Sequence, residues 1–473
     1  MYRRLLLTCL ACAALSLAYA QERLVNLHVV ALDRHDQPVA NLTADDFQIQ
    51  DQGKPVRIAL MRSNDPKSVS EATPLGPHEF SNHSGSALPS VTVILFDLLH
   101  PIDEKLARAQ LTKSAANFRT GDQIYLYLLT GRGPFPVRGL PERRMESPAT
   151  GPLAQDQIDA AFDTAKRLNL DFYGSDMVEL TYMSLQGMAS RLAGLPGRKS
   201  IVWISRGVPL SIASQQPGYS RDYAAQQDQL AATLQRGNIA MYPVGDSRRE
   251  IGSQSMGMLN DIASRTGGRS HLDMDVGTSI QQAMQDSRAS YTLAFSPPVW
   301  DAKYHKVRVT CTRSGVRVLA PDGYYPFAAA GVDDEGSQIE AAQWSPFDAG
   351  EISLRASISP SAKTPQAVQF AIRIHTDDVQ LMSTEAGFSG DVSVTLVAYD
   401  AAGRQTVLKQ TGYPFRMTAE QHRDALKNGI TLSPDQPLKE DVRKIRIIVF
   451  DRYSSAIGSL TVPIASADRS PAR

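Results

Sequence analysis

The sequence predicts an α/β protein in which a doubly wound, mostly parallel sheet is flanked by an N-terminal β unit and a C-terminal β-sandwich. Residues 91–96 form an unbroken apolar, β-branched run, as expected of a strand that is covered on both faces. Between residues 91 and 295, strand-length apolar runs alternate with helix-length amphipathic segments, which indicates a parallel sheet with helices on its faces. Residues 24–61 and 352–464 instead alternate apolar and polar residues over short stretches, which indicates antiparallel strands.

Residues 1–20 have the features of a secretory signal peptide. Arg3 and Arg4 precede a short apolar run, and residues 18–20 form a small-residue cleavage site. The apolar run is too short to span a bilayer, and no later stretch holds about 18 unbroken apolar residues. We therefore expect an exported protein (periplasmic, outer-surface or secreted) with no transmembrane segment in its mature chain. Anchoring through a lipid on Cys12 is the alternative.

Changes in composition divide the chain into eight predicted parts. Two stretches rich in small and polar residues, 63–90 and 328–350, indicate linkers. The parts in order are a signal peptide (1–20), an N-terminal β unit (21–62), a linker (63–90), a central α/β domain (91–297), a β-hairpin extension (298–327), a second linker (328–350), a β-sandwich domain (351–465) and a tail (466–473).

The central segment is predicted to alternate strands with helices. The predicted strands are residues 91–96, 123–129, 199–205, 239–244, 269–272 and 291–295. The predicted helices are residues 103–118, 155–168, 176–192, 223–235, 256–266 and 276–287. Residues 131–139 suit a short antiparallel return strand. A TIM barrel is excluded because the units are too few, one strand pair reads as antiparallel, and such a barrel needs about 250 residues.

The C-terminal segment is predicted to be a sandwich of six to eight short strands separated by polar turns. Its apolar residues alternate with polar ones in five stretches. These are residues 352–358, 368–374, 392–397, 445–450 and 459–464. Residues 419–427 are the one stretch of this segment that the sequence allows to be helical.

Composition and charge narrow the function classes. The chain of 473 residues has 49 Lys and Arg against 49 Asp and Glu, so no overall field favours nucleic acid or anionic lipid. Once the leader is removed, Cys311 is the only cysteine, which excludes an intramolecular disulfide. We therefore expect a protein partner and no nucleic acid.

Motifs of the common enzyme classes are missing from the sequence. There is no His-Glu-x-x-His zinc motif and no Gly-x-Ser-x-Gly nucleophile elbow. The turn after the first central strand, residues 98–102, has no glycine, so it offers no phosphate cradle. These observations favour a non-enzymatic protein with no catalytic residues and no cofactor.

Three stretches of the central segment carry a resemblance to a known family: a strand that ends in Asp97, a strand running into the turn Ser205-Arg206-Gly207, and the Ile-Ala-Ser-Arg-Thr-Gly-Gly helix end at residues 262–268. In this order they resemble the von Willebrand factor type A domain, over residues 91–297. Two flanking stretches, the Asp-Gln-Pro-Val-Ala-Asn-Leu-Thr lead-in and Tyr-Thr-Leu-Ala-Phe-Ser-Pro, are similar to exported A-domain proteins of the acidobacterial type. The resemblance implies an α/β, Rossmann-like fold and ligand binding at the carboxyl ends of the strands.

The resemblance also implies a metal-ion-dependent adhesion site, which this sequence retains only in degenerate form. Such a site supplies oxygen ligands to Mg²⁺ or Ca²⁺ from an Asp-x-Ser-x-Ser loop, a Thr and a second Asp. Asp97 is present, but Leu99 and Pro101 stand in place of the two hydroxyls. Arg206 stands where the second Asp is expected. The first and third loops therefore provide too few oxygens for a tight cation site.

The second loop offers Ser175 or Asp176 but no Thr. The candidate metal ligands are accordingly Asp97, Ser175 and Asp176, with Mg²⁺ or Ca²⁺ as the possible ion. The competing interpretation makes Asp97 a loop cap or an ion-pair partner of Arg206.

Three functions remain open at this point. The first is an exported protein-interaction module that binds its partner without a metal. The second is an adhesin that depends on a divalent cation, and the third is a hydrolase with an unrecognised site. The absence of catalytic motifs and the degenerate cation site favour the first.

Overall fold

The structure is a computed structural model, and it describes most of the chain between residues 24 and 464. The described residues are 24–63, 75–76, 78–82, 91–119, 122–141, 150–168, 175–193, 195, 197–209, 211–213, 220–247, 253–288, 290–326, 332–345, 347–361, 367–384 and 387–464. The predicted signal peptide (1–20) and tail (466–473) lie outside them.

The described residues form the following elements. The strands are β1 (Val25–Leu32), β2 (Phe47–Asp51), β3 (Lys54–Val56), β4 (Leu60–Ser63), β5 (Glu79–Ser81), β6 (Val91–Asp97), β7 (Gln123–Thr130), β8 (Gly133–Arg138), β9 (Lys199–Ile204), β10 (Ser211–Ala213), β11 (Ser220–Asp222), β12 (Ile239–Val244), β13 (Tyr291–Phe295), β14 (His305–Cys311), β15 (Arg317–Leu319), β16 (Gly323–Tyr324), β17 (Leu354–Pro360), β18 (Ala367–Ile374), β19 (Met382–Thr384), β20 (Gly387–Asp400), β21 (Gln405–Met417), β22 (Ile430–Leu432), β23 (Asp435–Pro437), β24 (Val442–Asp451) and β25 (Ile457–Pro463). The helices are α1 (Glu104–Ala115), α2 (Gln155–Arg167), α3 (Ser175–Ala193), α4 (Ala224–Arg236), α5 (Ser253–Thr266), α6 (Val276–Arg288), α7 (Val332–Trp344) and α8 (Ala419–Asn428).

The predicted fold class, a doubly wound and mostly parallel α/β sheet, is wrong for this chain. Strands make up 41% and helices 29% of the structure, and most strands belong to small antiparallel sheets. Among the strands that the structure describes, parallel pairing occurs in one mixed sheet, ordered β12-β9-β6-β7-β8, in which β8 is antiparallel to β7 as predicted.

Two runs that read as further strands of the parallel sheet do not join it. β13 pairs antiparallel with β1 and β4 in another sheet. Residues 269–272 contribute only an isolated bridge, between His271 and Val244. A short, fully buried apolar run has the same pattern in a sandwich core as in a parallel sheet, so periodicity alone could not separate the two.

The mixed sheet is buried on both faces because helices cover each side. All of β6 is buried, and its side chains alternate between two cores. Val93 and Leu95 face the core that α3, α4 and α5 complete, and Ile94 and Phe96 face the core of α1, α2 and α6. This packing fixes the ends of the strands, where the candidate site lies.

The segments before and after the central helices form one pair of antiparallel sheets. Their orders are β15-β1-β13-β4 and β16-β14-β2-β3. Leu27 and Phe47 from the first segment share a core with Phe295 and Val307 from the second. The sequence separates these stretches as an N-terminal unit and a hairpin extension, whereas the structure joins them around an inserted α/β segment.

Both predicted linkers contain regular structure. β5, from segment 63–90, pairs antiparallel with β17, while much of the rest of that segment lies outside the described residues. Segment 328–350 contains α7, whose Ile339 and Ala342 pack against Ile448 of the C-terminal part. A short polar strand and a helix of low amphipathicity give little periodic signal, which explains why the sequence reads as linker there.

The C-terminal part consists of two antiparallel sheets that enclose an apolar core. One sheet is ordered β22-β18-β17-β5 with β23 beside β18, and the other β19-β20-β24-β25 with β21 beside β20. The predicted helix at 419–427 is confirmed as α8, which begins with a capping box of Thr418 and Gln421. Across the described helices of the whole chain, none has the length and apolar character needed to cross a bilayer.

Candidate functional site

The carboxyl ends of the four parallel strands meet at one edge of the mixed sheet, which we call the carboxyl edge. It is formed by the loop after β6 (98–103), the turn after β7 (131–132), the turn after β9 (205–209) and the loop after β12 (245–247). Loops diverge at such an edge and leave room for a ligand. Asp97, the last residue of β6, lies at its centre.

Asp97 is fully buried, and protein groups engage both of its carboxylate oxygens. Oδ1 accepts hydrogen bonds from the backbone N–H groups of Leu99 (2.9 Å) and His100 (3.0 Å). Oδ2 accepts one from Ser205 Oγ (2.8 Å) and lies 3.5 Å from His100 Nδ1. Burial on its own would raise the pKa of Asp97, but the bonds from His100 and Ser205 outweigh it and hold the pKa below its usual value. The side chain therefore caps its own loop.

The turn after β9 is fixed by Ser205 and Gly207. Ser205 Oγ donates to Asp97 and accepts from the N–H of Gly207 at 2.9 Å. Gly207 has φ +79°, and a Cβ on it would lie 2.8 Å from the carbonyl oxygen of Ser255. Only glycine suits this conformation and this close approach, so the direction in which Arg206 leaves the turn is set by the backbone.

His100 and Thr181 were missed by the sequence analysis. His100 Nδ1 lies 3.3 Å from Thr181 Oγ1, and the Thr181 hydroxyl donates to the carbonyl of Met177 in α3 at 2.8 Å. The His100 side chain is 14% exposed. A polar residue three positions after Asp97 was the signal available for His100, whereas Thr181 lies within a helix and gave none.

Arg206 does not form the predicted ion pair with Asp97. Its Nε and Nη2 instead donate to the carbonyl of Pro101 at 3.2 and 3.0 Å, and its backbone N–H donates to the carbonyl of His100 at 2.8 Å. The side chain is exposed. Asp97 is buried, and other protein groups hydrogen-bond to both of its carboxylate oxygens. The Arg206 guanidinium therefore does not contact this carboxylate and lies along the outside of the loop.

The side chains that the structure describes at this edge do not fit a divalent cation. Leu99 is 4% exposed and packs in the apolar core, and Asp97 has no outward-facing oxygen. Ser175 and Asp176 begin α3, but their side chains lie outside the described part of the structure. Among the residues that are described, no three His, Cys, Asp or Glu side chains are grouped so that they could hold a metal ion.

No protein family matches the sequence, and no curated protein matches it. The resemblance to the von Willebrand factor type A domain therefore stays a prediction from the sequence motifs.

Proposed function

We propose that this chain is an exported, non-enzymatic protein-interaction module that binds its partner with the carboxyl edge of the mixed sheet and without a divalent cation. One observation carries the proposal. The central carboxylate of that edge, Asp97, accepts its hydrogen bonds from the protein's own N–H and O–H groups. Recognition there must therefore use the exposed side chains and backbone of the surrounding loops.

The arrangement of Ser205 also supports a binding role over a catalytic one. A serine nucleophile needs a base that can take its proton, commonly a histidine. The Ser205 hydroxyl instead donates a hydrogen bond to Asp97, whose pKa lies below its usual value. The Ser205 side chain is completely buried. A group so enclosed and so bonded supports the architecture of the loop, and a substrate could not reach it.

Site-specific photo-crosslinking in the cells that make the protein would test the proposal. A photoreactive phenylalanine analogue at Arg132, in the exposed turn after β7, is expected to capture one defined protein. The same analogue at Ala116, which is exposed at the opposite end of α1, is the matched control and is expected to capture none. The adduct is then formed again from purified components in EDTA and in Mg²⁺.

Equal yields with and without Mg²⁺ would support metal-free binding. A yield that disappears in EDTA and returns with Mg²⁺ would contradict it and favour the cation-dependent adhesin. Equal capture of the same protein from the Ala116 position would contradict the assignment of the binding surface to the carboxyl edge.

A further inference from the structure

One side of the Arg206 guanidinium donates hydrogen bonds to the protein, and the other side has donors left for a ligand. A guanidinium has five N–H donors. Nε and Nη2 each direct one of them at the carbonyl of Pro101. Two donors on Nη1 and one on Nη2 remain, and they include the parallel pair that matches the two oxygens of a carboxylate. Within the described chain Arg206 has no acidic partner, and its side chain is exposed.

The same bonds fix the position of Arg206 before any ligand arrives. Its backbone is tied to the carbonyl of His100, and the turn is locked by Ser205 and Gly207. An unrestrained arginine loses much side-chain freedom on binding, whereas one already bonded at Nε and Nη2 loses less. The arrangement therefore suits a directed contact better than a diffuse basic surface would.

The neighbouring charges leave this side of the edge open to an anion. Arg206 leans toward Pro101 in the loop after β6, and β9 separates that loop from β12 in the sheet. The acidic residues Asp246 and Asp273 lie on the far side, after β12, where their backbones form an isolated β-bridge. The exposed turn after β7 carries Arg132, which is also positive.

We propose that the open fork of Arg206 binds the carboxylate of an Asp or Glu side chain on the partner protein. This inference rests on the proposed function and names the chemistry of the contact. A carboxylate is favoured over a phosphate because a single fork satisfies its one negative charge, whereas a phosphate carries nearly two.

A peptide selection on the full mature chain would test the inference. Random peptides displayed on phage, with their C-termini fused to the coat protein, are selected in EDTA and counter-selected against Arg206→Gln. Enriched peptides are expected to share an Asp or Glu. In amidated synthetic copies, replacing that residue with Asn or Gln is expected to weaken binding about tenfold or more, the effect of losing a charge-assisted bidentate pair.

Variants of the protein locate the contact. Arg206→Gln is expected to cause the same loss, and the loss should not increase further with the Asn or Gln peptide, since both changes remove one interaction. Arg206→Lys keeps the charge without the fork and is expected to recover little of the affinity. Arg119→Gln removes an equal charge from an exposed residue at the opposite edge and is expected to change affinity less than about twofold.

Each other outcome has a definite meaning. Peptides that bind the carboxyl edge without a shared acid, or losses that add in the double variant, would overturn the carboxylate contact and leave the proposed function standing. Affinity that appears only when the peptides carry a free C-terminus would assign the fork to a terminal carboxylate and overturn the side-chain assignment. No enrichment over an unrelated protein, or binding that photo-crosslinking maps away from the carboxyl edge, would count against both proposals.

Discussion

Lys199 is a buried ammonium group at the start of β9, and its replacement by methionine is expected to stabilise the protein at neutral pH. The residue is 3% exposed, and its Nζ donates to the carbonyl of Leu195 at 2.7 Å. Burial lowers the pKa of Lys199 from 10.5 to about 8, although the charge of Glu351 opposes the shift. The buried ammonium is poorly solvated by water and donates a hydrogen bond to a single carbonyl. Its charge therefore destabilises the folded state.

The size of that cost follows from the pKa of Lys199. A fall in pKa from 10.5 to about 8, at about 1.4 kcal/mol per pKa unit, disfavours the buried ammonium by about 3 kcal/mol relative to the neutral amine. Lys199→Met removes this cost but also the bond to Leu195, which contributes about 1 kcal/mol. We therefore expect the free energy of unfolding to rise by about 2 kcal/mol at pH 7.

The pH dependence gives the prediction its sign. Between pH 8 and 10.5 the unfolded chain holds a proton on Lys199 that the folded protein has released, so wild-type stability gains from rising pH in this window. Lys199→Met lacks this gain of about 1.4 kcal/mol per pH unit, so its advantage should shrink steadily above pH 8 and reverse at about pH 9.5.

Urea unfolding at half-unit pH steps would measure the effect, with Trp203 as the reporter. Trp203 is fully buried in the same strand, and replacing Trp300 and Trp344 with Phe leaves it as the single tryptophan. The exposed Lys113→Met is the control and should show no such trend. A difference between Lys199→Met and wild type that stays constant from pH 7 to 10.5 would refute the reasoning, and so would a variant several kcal/mol less stable at pH 7.

Three further perturbations test other parts of the account. Asp97→Asn should lower the free energy of unfolding by about 2 kcal/mol. Because the folded pKa of Asp97 is depressed, its contribution should fade as pH falls through the acid range, and acid titration monitored by circular dichroism would detect this. Gly268→Ala should prevent stable folding, because a Cβ there would lie 1.8 Å from the Met241 carbonyl oxygen, whereas Gly257→Ala in open space on α5 should add about 0.5–1 kcal/mol; thermal melts compare the two. His28, whose pKa burial lowers to about 3, should cost stability as pH falls from 6.5 to 3, and urea midpoints of His28→Gln should lack that slope.

Periodicity found the elements of this chain more reliably than it found their partners. The run at β6 and the return strand β8 were both predicted, because burial on two faces and a turn with glycine are local signals. The pairing of β13 with β1 depends on residues 266 positions apart in sequence, such as Leu27 and Leu293, and no local pattern specifies it. The fold class was wrong for that reason, since strands assigned to one sheet belong to several.

The candidate site shows the same division. That the first and third loops lacked ligand oxygens could be read from Leu99, Pro101 and Arg206 directly. The position of the Arg206 guanidinium could not be predicted in this way, because it depends on whether a carboxylate oxygen of Asp97 is free to accept a hydrogen bond from it. The structure answers this through bonds from Ser205, 108 residues away in sequence, which sequence spacing does not reveal.

Asp97 organises the carboxyl edge without reaching solvent, which separates its role from that of Arg206. Its oxygens order the loop that carries Pro101 and the turn that carries Arg206, so they fix both ends of the bond that aims the guanidinium. Loss of Asp97 should therefore weaken recognition by freeing Arg206, an entropic effect that a tighter turn could restore. Loss of Arg206 removes the contact itself, and no change elsewhere in the loop can replace a fork that is absent. In the arrangement we propose, a buried carboxylate acts as the support and an exposed guanidinium acts as the recognition group.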